Sequence, residues 1–258
     1  FGPLDGEVGH GGSGDSWVGP SAIAVDLDGN IYIADIVNER IVKFDKNGKF
    51  ISKIAFNVLH KRYDGIIDDL ATDLSGNLYV ASRHEMKIYK YTSDGNPVFS
   101  INLKDENICS SERGKWYAFA FQIMGMNKWH WYDCASEIIG LNIDPKGNIY
   151  LKGLNWFIKF DSKGNISKKM GVEYNSLAYF LDEFGNLYIN VKTDDWEKYD
   201  SEGLSLGPIK CTEPFLGKLC GRYQYPMFID KSGFFYSFDY KKGTLAKKDI
   251  HGRYYGEY

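Results

Sequence analysis

Four groups of side chains in this sequence can do chemistry. Two adjacent carboxylates, Asp68-Asp69, come shortly after a stretch that carries His60 and Arg62. Paired carboxylates can hold Ca²⁺ or a basic group. His10, His60 and His130 are well separated in sequence; imidazoles brought together by a fold can hold Zn²⁺, and otherwise they are solvated loop residues. Trp116, Tyr117, Trp129, Trp131 and Tyr132 crowd one segment, with Lys128 and His130 among them. Trp and Tyr dominate protein interfaces and stack on sugars, so this segment is a candidate contact surface as well as a candidate hydrophobic centre. In Trp129-His130-Trp131, alternation points the two Trp one way and His130 the other. Four cysteines complete the set. Cys109 and Cys134 bracket the aromatic segment, and Cys211 and Cys220 bracket another. An even count with each pair closing one stretch predicts disulfides Cys109–Cys134 and Cys211–Cys220, which belong to an oxidising compartment. No Cys-x-x-Cys spacing is present, which argues against a zinc knuckle.

Several function classes find no support. There is no Gly-x-Ser-x-Gly elbow, no His-Glu-x-x-His and no phosphate-binding loop; the Gly9–Gly14 run lacks the Lys-Ser/Thr end. The net charge is −3, and the bases Lys61-Arg62, Arg113, Lys115, Lys128, Lys218 and Arg222 are scattered, so nucleic acid is not an expected partner. No apolar run approaches the roughly 18 residues of a membrane span. Asn165-Ile166-Ser167 matches a glycosylation acceptor, a short and common pattern.

The elements that must position these groups are legible from a repeat. The turn Asp26-x-x-Gly29-Asn30 returns with its Asp at Asp73, Asp144, Asp182 and Asp230, and its Gly at Gly76, Gly147, Gly185 and Gly233. A Tyr always stands three residues after the Gly: Tyr32, Tyr79, Tyr150, Tyr188 and Tyr236. A second block comes after it each time, Lys43-Phe44-Asp45, Lys90-Tyr91-Thr92, Lys159-Phe160-Asp161, Lys198-Tyr199-Asp200 and Lys247-Lys248-Asp249, with another Gly close behind. Asp folds its carboxylate onto nearby N–H groups and Gly takes the positive φ that a tight hairpin needs. Between turns, alternation such as Ile31-Tyr32-Ile33 reads as strand. The first unit predicts strands at 21–26, 30–34, 40–45 and 49–55, and no helix of convincing length appears. Aromatics at 16% and abundant Gly fit many strands joined by many turns.

A four-stranded antiparallel unit repeated in this way predicts an all-β fold, a β-propeller forming one domain over residues 1–258, because such sheets bury both faces only against one another. Five copies are clear. The long interval from Asp73 to Asp144 leaves 104–134 as a degenerate sixth blade or an insertion, and six blades are expected. At this point the first copy resembles the NHL-repeat propellers, through Pro20, Ala24-Val25-Asp26, Gly29-Asn30-Ile31-Tyr32, Ala34-Asp35, Asn38 and Arg40-Ile41. The other copies keep Asp, Gly and Tyr and lose the Asn-x-Arg-Ile part.

The repeat also sets phase. The repetitive turns fall on one side. The excursions 1–20, 56–65, 104–136 and 207–224 fall on the other, the loop side, where function on a rigid scaffold usually lies. His60, Arg62, Asp68, Asp69, Trp116, Trp129, His130 and Trp131 are therefore the candidate binding residues, with no catalytic constellation identified. The expected role is a binding or scaffold module for a protein, small-molecule or glycan ligand, without a cofactor. The alternative is a metal-dependent lyase or hydrolase at the channel mouth, with Ca²⁺ or Zn²⁺ as its metal. The disulfides predict an extracytoplasmic location, and the start at Phe1 in mid-pattern predicts a processed chain or a fragment.

Overall fold

The computed structural model describes residue 8 and residues 19–56, 67–83, 85–103, 138–153, 156–171, 179–182, 184–192, 195–209, 224–229, 235–239, 244–248 and 254–257. Among these the regular structure is strand, apart from a short 3-10 turn at Ile36–Asn38 and 3-10 geometry at Leu103. Five four-stranded sheets succeed one another in chain order. The first is β1 (Ile23–Val25), β2 (Ile31–Asp35), β3 (Arg40–Phe44) and β4 (Phe50–Ala55). The second is β5 (Asp69–Thr72), β6 (Leu78–Ser82), β7 (Lys87–Tyr91) and β8 (Pro97–Asn102). The third is β9 (Ile138–Ile143), β10 (Ile149–Gly153), β11 (Trp156–Phe160) and β12 (Ile166–Gly171). The fourth is β13 (Tyr179–Leu181), β14 (Leu187–Lys192), β15 (Asp195–Tyr199) and β16 (Ser205–Ile209). The fifth is β17 (Gln224–Ile229), β18 (Phe235–Asp239), β19 (Thr244–Lys248) and β20 (Tyr254–Glu257). Adjacent strands are antiparallel, as the alternation predicts.

The turns are built as their chemistry dictates. Asp26 Oδ1 accepts the N–H groups of Asp28 and Asn30 at 3.0 and 2.9 Å, and its Oδ2 accepts the Asn30 side-chain amide at 2.9 Å. Asp73 and Asp182 repeat this arrangement. Gly29 sits at φ 83°, where a Cβ is strained. The Tyr and Lys columns then close onto the same carboxylate. Tyr79 donates its hydroxyl to Asp73 Oδ2 at 3.2 Å, and Lys90 Nζ lies 3.3 Å from that oxygen and 4.8 Å from the centre of the Tyr79 ring. Tyr79 and Lys90 face each other across β6 and β7, so register alone brings them together. The group recurs as Asp26–Tyr32–Lys43 and Asp182–Tyr188–Lys198.

The chain forms two compact units. The first holds residues 1–143, 147–153 and 158–167, and the second holds 144–146, 154–157 and 168–258. In the first unit, β1 lies beside β5 and β5 beside β9. Thr72 Oγ1 donates to Val25 O at 2.9 Å, and Leu141 N–H donates to Asp69 Oδ2 at 2.7 Å. The first two sheets bury Tyr32, Ala34, Ile41, Phe56, Ile67, Leu70, Leu78 and Val80 as one core. Large side chains of this kind stabilise by about 1.5–3 kcal/mol each when fully buried. The clasp of one sheet ends on the next: Tyr32 OH reaches Gly76 O at 3.5 Å and Lys43 Nζ reaches Ser93 O at 3.1 Å.

The second and third sheets meet in the same way as the first and second. Gly95, in the β7–β8 turn, sits against Ile54 on β4, and Gly164, in the β11–β12 turn, sits against Ile101 on β8. Among the described residues, no sheet stands between the second and third. The sixth blade expected at 104–134 lies outside the described residues, as does the whole of 104–137.

In the second unit, β13 lies beside β17. Asp144 packs its carboxylate toward Gly185, and Lys168 Nζ donates to Gly203 O. Tyr199 donates to Glu197, and burial together with that carboxylate pushes its hydroxyl up to about 12.

Candidate functional site

The loop-side ends of β5 and β6 carry the two predicted site residues that fall within the described structure. Asp68 precedes β5 and extends its ladder by one bond, from its N–H to Ala81 O at 2.9 Å. That pins the backbone and turns the carboxylate back over the end of β6. There Asp68 Oδ2 accepts the Arg83 N–H at 2.5 Å, and Oδ1 lies 3.0 Å from Arg83 Nε. Burial pushes the Asp68 carboxyl up to about 7; the Arg83 N–H and guanidinium pull the other way, and the charge of Asp69 adds to the rise. Asp69 accepts Leu141 N–H through Oδ2 and Leu70 N–H, at 2.9 Å, through Oδ1. Burial raises it to about 6, against these two bonds.

Two carboxyls titrating near neutrality beside a guanidinium are what proton transfer would need. Their partners also give both carboxylates a structural task. All four carboxylate oxygens are engaged within the chain, two by Arg83 and two by backbone N–H groups. The basic group expected for Asp68 is the chain's own Arg83, and Asp69 ties β5 to β9. Both residues hold the architecture. Among the described residues, no group of three or more His, Cys, Asp or Glu side chains is placed to hold a metal.

His60, Arg62, Trp116, Trp129, His130, Trp131 and the cysteines Cys109, Cys134, Cys211 and Cys220 lie outside the described residues.

Three further loop-side features went unread in the sequence. Asp35, fully buried, accepts Asn38 Nδ2 at 2.8 Å and Arg40 Nε at 2.9 Å, which locks the β2–β3 connection. These are the Asn and Arg of the first repeat's Asn-x-Arg-Ile, so that part of the pattern has a structural cause. Glu39 and Met86 adopt φ of 51° and 57°. Each turns its carbonyl to accept one more N–H beyond the outer strand, from Phe56 at 3.0 Å and Leu103 at 2.7 Å, and both of those side chains are buried. Lys152 is 0% exposed and donates to Gly153 O; burial lowers its ammonium to about 8. Its strand position is that of Ala34 and Ala81, two after the repeat Tyr, and Gly140 lies opposite it. The signal was present in the aligned strands as a Lys where the first two repeats carry Ala.

No protein-family model matches the chain, and no curated protein matches it in sequence. Solved structures do match in fold. Virginiamycin B lyase from Staphylococcus aureus aligns over 93% of this chain and 70% of its own, with TM-score 0.56 and 12% identity. A catalytically inactive variant of that lyase, solved with quinupristin, aligns over 98% and 73%, with TM-score 0.57 and 13% identity. A protein of unknown function from Bacteroides caccae aligns over 93% and 81%, with TM-score 0.56 and 12% identity. At such identity the likeness speaks for fold. The NHL resemblance of the first repeat has no family model behind it, and the coarser assignment stands: four-stranded antiparallel sheets with a β-propeller fold.

Proposed function

We propose that this chain is a binding module that engages a protein, small-molecule or glycan ligand through its loop side. One observation carries the reading: the second and third sheets pack directly together, as the first and second do, yet the sequence between them runs from Leu103 to Ile138. A connection of that length inside a rigid scaffold is usually functional. It holds Trp116, Trp129, His130 and Trp131, the residue types that form binding hot spots. Asp68 and Asp69 brace the second sheet and its junction with the third. The reading includes disulfides Cys109–Cys134 and Cys211–Cys220 and an extracytoplasmic location; intact mass under non-reducing conditions tests this, and four free thiols would remove the case for that location.

The test of binding replaces 104–137 by the shorter 57–66 connection and compares both chains on glycan and peptide arrays. The expected result is loss of every array signal with cooperative melting retained. Signals that survive the replacement would place the ligand elsewhere.

A second reading draws on the likeness to virginiamycin B lyase, one structure of which was solved with quinupristin. In that case the chain is a metal-dependent lyase or hydrolase. Chromatography of quinupristin incubated with the chain and Ca²⁺ or Zn²⁺ separates the two: a binding module leaves the compound unchanged, and a new product favours the enzyme.

A further inference from the structure

In the first, second and fourth sheets, two hairpins share one turn. The β1–β2 turn closes with Asp26 N–H to Asn30 O at 3.0 Å and Gly29 N–H to Asp26 O at 3.1 Å. The β3–β4 turn closes with Asp45 N–H to Lys49 O at 2.8 Å and Gly48 N–H to Asp45 O at 2.9 Å. The second and fourth sheets repeat both turns, with Thr92 in place of the second Asp in the second sheet.

Beyond the turn, the two hairpins part. In β1–β2 the pairing stays one to one, Val25 opposite Ile31 and Ala24 opposite Tyr32, and β5–β6 and β13–β14 behave alike. In β3–β4, Phe44 lies opposite Phe50 but Lys43 lies opposite Ser52, so Ile51 is an extra residue. The same step adds Val98 in β8, Leu206 in β16 and Tyr255 in β20. One turn with and without a bulge after it shows that the turn does not impose the bulge. Nor does the core. Ile51, Val98, Leu206 and Tyr255 are 47%, 51%, 55% and 51% exposed, so the extra residue is not there to fill space.

Each bulge stands on the fourth strand of its sheet, the edge farthest from the side-by-side strands β1, β5 and β9 or β13 and β17. An edge strand offers a row of backbone donors and acceptors to any other strand. A bulge breaks the spacing of that row and adds local twist. Pro97 in β8 and Pro208 in β16 remove a donor from two of these strands as well. The geometry points to an edge guard: in the first, second, fourth and fifth sheets the bulge closes the fourth strand to strand addition by a second copy of this chain. Recognition by this scaffold then runs through side chains rather than through extension of a sheet.

Deletion of Ile51 tests this, because it leaves the pairs Phe44–Phe50 and Lys43–Ser52 in place and makes the ladder regular. Deletion of Val98 does the same independently in the second sheet. Sedimentation velocity over a concentration series, on the full chain, compares both deletions with the parent and with Ile51→Thr. The expected result is self-association strengthened about tenfold or more by either deletion, as a few new cross-strand pairs would give, with Ile51→Thr behaving as the parent. Deletions that sediment as the parent does would overturn the proposal. So would association caused by Ile51→Thr alone, which would make the side chain and not the extra residue the controlling feature.

Discussion

Replacement of Asp73 by Ala separates the two turns of the repeat, which look alike in sequence. Asp73 accepts Ser75 N–H and Asn77 N–H at 3.0 and 2.9 Å, Asn77 Nδ2 at 2.8 Å and Tyr79 OH at 3.2 Å, and it pairs with Lys90 Nζ at 3.3 Å. Without the carboxylate, the turn N–H groups can return to water. Tyr79 and Lys90 cannot do so freely, because Tyr79 is fully buried and the Lys90 side chain is only 15% exposed. Removing one partner of a buried ion pair costs about 3–5 kcal/mol, and the partly open turn places Asp73→Ala near the lower end, about 3 kcal/mol. Asp73→Asn keeps acceptors for the turn N–H groups and should lose less. The Asp45 carboxylate accepts Asn47 N–H and Lys49 N–H, both at the surface, so Asp45→Ala should lose a small fraction of the Asp73 effect. Equilibrium urea unfolding measures all three, with the slope checked for constancy. Equal losses for Asp73→Ala and Asp45→Ala would refute the claim that the first turn is a buried clasp and the second a surface turn.

Two other perturbations read the scaffold. Asp68 and Asp69 titrate near 7 and 6 in the folded chain, above the ordinary carboxyl value of 3.8, so the folded state binds more protons between these limits. Their contribution is complete below the unfolded value and is lost as pH rises through 6 to 7; the urea midpoint should fall from pH 5 to pH 8. Asp73, Asp45 and Asp161 are shifted downward, and their contributions fade only below the ordinary carboxyl value. Asp69→Asn retains an acceptor for Leu141 N–H and should flatten the part of the profile centred near pH 6; a profile that keeps that part would assign it elsewhere. Gly48→Ala meets no atom within 4 Å and should cost only the positive-φ strain, about 1 kcal/mol, whereas Gly95→Ala also drives a Cβ to 2.9 Å from Ile54 Cγ1 and should cost clearly more. Combining Gly95→Ala with Ile54→Ala should recover about 1 kcal/mol in a double-mutant cycle, and strict additivity would count against the clash.

Legibility in the sequence divides along physical lines. The Asp-x-x-Gly turns were legible because an Asp carboxylate and a positive-φ Gly act within a single turn of chain. The strand expected at 21–26 is observed as Ile23–Val25, and the one at 49–55 as Phe50–Ala55, because the alternation is local too. The Lys column was visible, but its meaning depends on cross-strand register, which places Lys90 over Tyr79. Asp68 and Asp69 stood out as paired carboxylates. Their partners lie 15 and 72 residues away, at Arg83 and Leu141, and no spacing rule reaches that far. The expected sixth blade rested on interval length, chain length and the NHL resemblance, and its segment lies outside the described residues.

The contacts from Tyr32 to Gly76 and from Lys43 to Ser93 have a consequence for how the chain assembles. A sheet completes its own clasp only when the next sheet has closed its turns, since the last acceptors are backbone carbonyls of that neighbour. In the second unit, Lys168 reaches Gly203 O in the same forward direction. Coupling of this kind makes the first sheet's stability conditional on the second, as in other repeat proteins whose free energy is a sum of nearest-neighbour terms. A partly synthesised chain therefore carries a leading sheet that is paired but not yet clasped, and that sheet is the one most open to unfolding until its successor arrives.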